Sequence, residues 1–318
     1  MNPSAPRRPA LPAAVALALC GSLALTACGS SGSSGPAATG PVTVAGVSIS
    51  ADPALHDALP ETVRKAGKVR VATDVPYPPF EMYVSEGSKE LTGLDYDLGQ
   101  AVGARLGVRF EFQAQKFEGI VPALQAGKYD VAISAITDNK ERGQVVDFVD
   151  YSVSGSGVLV AKGNPQKITT LDDLCGRAVA VQSATNQQKL LDQHQDKCRE
   201  LGRGAIDVQA FPKDSDAQLA LRSGKVVADV LTKPAAGWTA KTADNGSAFE
   251  VVDDPAALGG YHASPNGIAV AKNLPQLTDA VQKAVQSLID DGSLARIYDK
   301  YGVASIAVRQ ATRNGAVD

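Results

Sequence analysis

Short apolar runs of strand length alternate with helical segments along most of this chain, and few folds accommodate that succession. Residues 69–73 are β-rich. Residues 95–106 put Leu98, Val102 and Leu106 on one helical face, after Leu94. Residues 108–112 alternate as a strand, 117–126 read as a helix closed by Gly127, and 131–134 as a buried strand. A β-α-β-α-β order implies a parallel sheet with helices on both faces. A second region opens at 158–161. It continues with a strand at 178–182, helices near 187–193 and 217–222, the latter closed by Gly224, and a strand at 226–231. A strand at 267–271 follows. A long amphipathic helix is marked by Leu277, Val281, Val285 and Leu288 and ended by Gly292. Ser293 is placed to cap a last helix carrying Leu294, Ile297, Tyr298 and Tyr301. The class is α/β. The 318 residues suffice for about two domains. With 44% hydrophobic and 20% charged residues, disorder and coiled coils are excluded. A net charge of −3 leaves no basic surplus for nucleic acid.

The N-terminus reads as an address. Arg7 and Arg8 precede an apolar run at 11–27, shorter than the roughly 20 residues that span a bilayer and shaped like an export signal. The run ends Leu25-Thr26-Ala27-Cys28, which looks like a bacterial lipobox, with Cys28 as the lipidated residue. A Gly/Ser tract at 29–35 follows as a flexible tether. Residues 1–27 are thus expected to be a signal peptide and 28–60 an anchor and tether. Cleavage removes Arg7 and Arg8 and no acid, moving the net charge from −3 to −5. The expected location is the outer face of the cell membrane. Cys175 and Cys198 remain as an even pair in an exported chain, which reads as a disulfide.

Ligands of open parallel sheets bind at the carboxyl ends of strands, and three such ends carry polar clusters. After the first strand, a proline-stiffened turn offers Asp74 and Tyr77. The second cluster runs from Ser134 to Arg142, whose guanidinium suits a carboxylate. The third, Gln182 to Gln187, leads into a helix N-terminus that favours an anion. No phosphate loop, dinucleotide fingerprint or Ser-His-Asp arrangement stands out, and His56, His194 and His262 read as surface or packing residues. Trp238 reads as core packing on a helix. No catalytic residue, cofactor or metal ligand is assigned.

At these clusters the chain resembles the family-3 extracellular solute-binding proteins of bacterial ABC importers, the polar amino-acid-binding group. The resemblance rests on Ala72-Thr73-Asp74 with Pro79-Phe80-Glu81, on 92–98, on 117–124, on 134–142 and on Val146-Asp147-Phe148. It implies a two-lobed periplasmic-binding-protein-like fold (type II, Venus-flytrap) with a parallel-rich sheet in each lobe. Lobe 1 would hold residues 61–156 and 262–302, lobe 2 residues 157–261, and 303–318 would be a tail. The resemblance implies that Arg142 clamps a ligand carboxylate, completed by Thr137 and the Gln182, Thr185 and Asn186 loop. Ser134 and Ala135 would accept from an ammonium, Tyr77 and Phe117 would wall the side chain, and Asp74 would meet a polar or cationic end. It implies ABC permease subunits as partners, a monomer, and no nucleic acid.

One position departs. The family has an Asp acceptor after Val-Leu-Thr, whereas Val230-Leu231-Thr232 precedes Lys233. Three readings stand: Lys233 swings out, pairs with an acid, or faces a ligand that is not a standard α-amino acid. Two further functions stand beside transport: an enzyme on the same fold, such as a cyclohexadienyl dehydratase, and a sensory binding module.

Overall fold

The computed structural model describes residues 40–317; the leader, Cys28 and the Gly/Ser tract lie outside the described residues. An antiparallel hairpin, β1 (Val42–Val44) and β2 (Val47–Ile49), precedes the short helices α1 (Pro53–Asp57) and α2 (Glu61–Ala66). The stretch read as tether is therefore folded from Val42 onward. Val44 and Ile49 are buried in the same apolar cluster as Leu98 and Val102. Next come β3 (Lys68–Thr73), the small pair β4 (Met82–Tyr83) and β5 (Leu91–Thr92), α3 (Leu94–Leu106), β6 (Arg109–Ala114), α4 (Ile120–Gln125), β7 (Val131–Ala132) and α5 (Lys140–Gly143). The middle of the chain holds β8 (Val146–Ala161), β9 (Ala178–Gln182), α6 (Asn186–Glu200), β10 (Asp207–Phe211), α7 (Asp214–Arg222), β11 (Ala228–Thr232) and α8 (Lys233–Thr242). It ends with β12 (Phe249–Val251), β13 (Tyr261–Ala271), α9 (Pro275–Asp290) and α10 (Ser293–Tyr301).

One mixed sheet runs β10-β9-β11-β8-β13-β7-β3-β6, with β12 also on β8. The expected parallel pairing holds within each half, β10-β9-β11 and β7-β3-β6. The halves are joined by two long antiparallel strands. The first part of β8 pairs with β13 from Val146↔Ala271 to Ser154↔Ser264, and its second part with β11 and β12. Where β8 and β13 change partners, a Cβ on Gly155 or Gly260 would collide with the other's backbone. Only glycine permits that approach.

Strand alternation assigns side chains to layers. In the first half, Val71, Val131 and Val270 share a cluster with residues of α3, α9 and α10, whereas Ala72, Ala132 and Ala269 pack with Ile120 and Leu124 of α4. In the second, Val179, Val181 and Val230 pack with Leu190 and Leu191 of α6, whereas Ala180 and Leu231 join Ala217 and Leu221 of α7. The Cys175–Cys198 disulfide is formed, with Cα atoms 5.4 Å apart, and ties the approach to β9 onto α6.

Four local expectations change. The helix expected at 117–126 is a 3₁₀ turn, Phe117–Gly119, followed by α4; Pro122 lies in the first turn of α4, where its missing N–H costs no helical bond. The strand expected at 131–134 stops at Ala132, because the next residues turn into the cleft. Gly292, in the left-handed region, occupies the N-cap of α10, and Asp291 Oδ1 accepts from the Ser293 N–H. Residues after Gly302 are not a loose tail: Ile306 and Ala311 are buried, and Arg313 bonds Asp147 and Asp279 at 2.9 and 2.7 Å.

Candidate functional site

Between the two halves, the C-terminal ends of β3, β7, β9 and β11 converge on one cavity. Asp74, Tyr77, Phe117, Ser134, Ala135, Thr137, Gln182, Thr185 and Asn186 line it, joined by Glu81, Gln187 and Thr232. The enclosed space is about 20 Å³, room for roughly one water. Direct bonds draw its walls together. Gln182 Nε2 donates to Asp74 Oδ2 at 2.5 Å. The Thr232 N–H donates to Tyr77 Oη at 2.9 Å, and Thr232 Oγ1 lies 3.0 Å from the same atom. Asn139 Nδ2 donates to Asn186 Oδ1 at 2.7 Å. Arg142 Nη2 donates to Ala184 O at 2.9 Å, while its Nη1 holds Thr137 O at 2.9 Å.

Arg142 thus stands beside the cavity rather than in its lining. Its guanidinium carbon lies 5.4 Å from the Phe117 ring centroid, a cation–π distance. Asn139 caps α5 and accepts from the Arg142 N–H, which fixes the helix that carries the guanidinium. Thr185 is the N-cap of α6, so the amino end of a 15-residue helix opens on the cavity.

Beneath the cleft lies a buried carboxyl network. The Asp74 N–H donates to Ser134 Oγ at 2.8 Å, and Ser134 Oγ donates to Glu81 Oε1 at 2.7 Å. Asp95 accepts from the Ala135 N–H at 2.6 Å and from Tyr151 Oη at 2.7 Å. These bonds hold Ala135 at φ 44°, a left-handed conformation unusual for a residue with a Cβ. Burial, and then the charge of Asp95, raise Glu81 well above the usual carboxylate range. Burial pushes Asp95 to about 6 against the pull of its hydrogen bonds with the Ala135 N–H, Tyr151 and Glu81. Asp74 is also raised by burial, opposed by the Gln182 bond.

Lys233 is the one sequence-derived ligand residue turned away from the cleft. It is the first residue of α8, and its Nζ donates to Ala257 O at 3.1 Å. Thr232, the last residue of β11, faces the cleft instead. Sequence reasoning passed over Thr232 because it fixed on the charge of the next residue. Glu81, from the Pro79-Phe80-Glu81 motif and a candidate general acid under the dehydratase alternative, also lines the cavity. Trp238, expected in the core, is only half-buried on a face of α8 that meets a surface groove. Among the described residues, the group with metal-ligand spacing is Cys175, His194 and Cys198, and its two sulfurs are bonded to each other.

The profile of the bacterial extracellular solute-binding proteins, family 3, matches residues 69–304. The chain belongs to that family. This solute-binding protein is 30% identical over 263 residues to the arginine-binding protein ArgT of Corynebacterium glutamicum, covering 82% of this chain and 83% of the relative. An ancestral arginine-binding protein bound to arginine matches its structure with a TM-score of 0.64 and 35% identity, over 74% of this chain and 98% of that one. The ancestral amino acid-binding protein AncCDT-1, a precursor of cyclohexadienyl dehydratase, matches with a TM-score of 0.66 and 32% identity, over 76% and 98%. The fold is accordingly the two-lobed type II periplasmic-binding-protein fold. No helix among the described residues is long and apolar enough to cross a membrane.

Proposed function

We propose that this protein captures a basic amino acid outside the cytoplasmic membrane and delivers it to the permease subunits of an ABC importer. It works as a monomer tethered by a lipid on Cys28, after removal of residues 1–27. Cleft polarity carries this reading: Asp74 lines the cavity, which has no basic side chain in its lining and shares its walls with Tyr77 and Phe117. Arg142 and the amino end of α6 stand close by to receive a carboxylate. The arginine-binding relatives support the same ligand class. The proposed lobes are residues 61–156 with 262–302, and 157–261. The N-terminal hairpin and the C-terminal segment join the first. A bound solute exchanges the bonds between the walls for its own, and closure is a shift between open and closed populations.

Calorimetric titration with the common amino acids, ornithine and cystine tests the reading. A basic amino acid should bind one-to-one. Tighter binding of a neutral or acidic one, or of none, overturns it. Incorporation of labelled palmitate, lost in Cys28→Ser, tests the anchor. One observation favours a second reading. Glu81 is a buried cleft carboxyl whose pKa is raised by burial and by the Asp95 charge, the kind of group that protonates a leaving hydroxyl, and AncCDT-1 is a precursor of cyclohexadienyl dehydratase. Turnover of prephenate or arogenate would support it; the binding reading expects none.

A further inference from the structure

A second cavity, far larger than the cleft, lies between α8 and the segment that follows α10. It has a volume of about 500 Å³, within the range of small-molecule sites. One wall is a single face of α8, with Pro234, Gly237, Trp238 and Lys241 spaced three and four residues apart and Lys233 at the helix start. The opposite wall is Tyr301 to Ala307, and the floor is Val153 and Ser154 of β8, where the sheet halves meet. An occupant therefore touches both halves at once.

The lining has a definite chemistry. Trp238 is half-buried and presents an aromatic surface, and the apolar rim is exposed, Leu258 at 73% and Val153 at 40%. Lys233 and Lys241 are the charged residues of the lining, which contains no carboxylate. They are eight residues apart, about 12 Å along the helix, with Trp238 between them, and Lys233 Nζ keeps two further donors beyond its bond to Ala257 O at 3.1 Å. The Asp254 carboxylate feels the Lys233 charge, but it is engaged by Tyr261 Oη and the Ala256 N–H and does not line the groove.

We propose that this groove is a second ligand site, separate from the cleft, for a small anion with an aromatic or aliphatic body. The apolar part lies on Trp238 and Ile306, and the anionic group meets Lys233 and Lys241. Trp238 is the only tryptophan of the chain, so its emission reports from the groove itself.

The test uses 8-anilino-1-naphthalenesulfonate, an aromatic anion, titrated into the purified chain while Trp238 emission is followed. Saturable one-to-one quenching is expected. The double variant Lys233→Ala, Lys241→Ala should weaken it by about threefold to tenfold. Gly237→Leu is the volume control. A Cβ at Gly237 meets nothing within 4 Å, so the larger side chain fills the groove without displacing α8, and quenching should vanish. Neither substitution touches the cleft lining. Quenching that does not saturate, or that survives in Gly237→Leu, overturns the proposal. So does an affinity unchanged by removal of both lysines.

Discussion

Asp74 and Asp214 show how burial sets the role of a carboxyl in this molecule. Asp74 is held by Gln182 at the wall of the cleft. Asp74→Asn keeps the shape and removes the charge. It should weaken binding of a basic amino acid by roughly 10- to 100-fold and that of a neutral one far less, measured by calorimetry. Lys233→Ala should leave the same affinity within about twofold, since the Nζ atom is bonded to Ala257 O outside the cleft. Asp214, at the start of α7, is pushed up to about 7 by burial, relieved in part by the Gln218 bond. In the unfolded chain the same group releases its proton near pH 4. Between those values the folded protein holds the extra proton, so stability falls as pH rises through the window. The contribution is whole below about pH 4 and lost above about pH 7. Asp214→Asn should therefore raise Tm by a few degrees at pH 8 and little at pH 4. An equal gain at both, in thermal denaturation, would rule out the buried charge as its cause.

Elements that pack through local apolar patterns were legible in the sequence; those completed by distant partners were not. The helices α3 and α9 announced themselves through Leu98, Val102 and Leu106, and through Leu277 to Leu288. The 16-residue β8 did not. Its buried Asp147, Asp150 and Ser152 break the apolar run, and their partners lie more than 100 residues away at Arg313, Gly315 and Asn266. Edge strand β10 was missed because most of its residues keep contact with solvent. In the cleft, residue types were legible at the strand ends, but facing was not. Whether Thr232 or Lys233 enters depends on where β11 yields to α8, a one-residue difference that composition does not encode. The disulfide was legible from compartment and parity. It closes a separation of 23 residues, so replacing Cys175 and Cys198 with Ser should cost about 3 kcal/mol, read from denaturant midpoints.

For the molecule as a whole, the bonds across the cleft set the balance between closed and open forms. Each is worth about 1 kcal/mol net, so losing one shifts the ratio toward open by about fivefold. Tyr77→Phe removes the hydroxyl that accepts from the Thr232 N–H. It should increase the radius of gyration in small-angle scattering of the solute-free protein; an unchanged radius would mean that closure rests on other contacts. The exchange of partners along β8 also sets an order of assembly. The half built on β9, β10 and β11 draws its sheet from one stretch, 156–251. The half built on β3, β6 and β7 starts earlier in the chain, yet lacks β13, α9 and α10 until residue 301, and Arg313 after that. Long-range closure is the slow part of folding. In pulse-labelled hydrogen exchange, amides of β9 and β11 should gain protection before those of β3 and β7. The half that begins last finishes first, and the earlier half waits, its apolar faces uncovered, for the C-terminal helices to arrive.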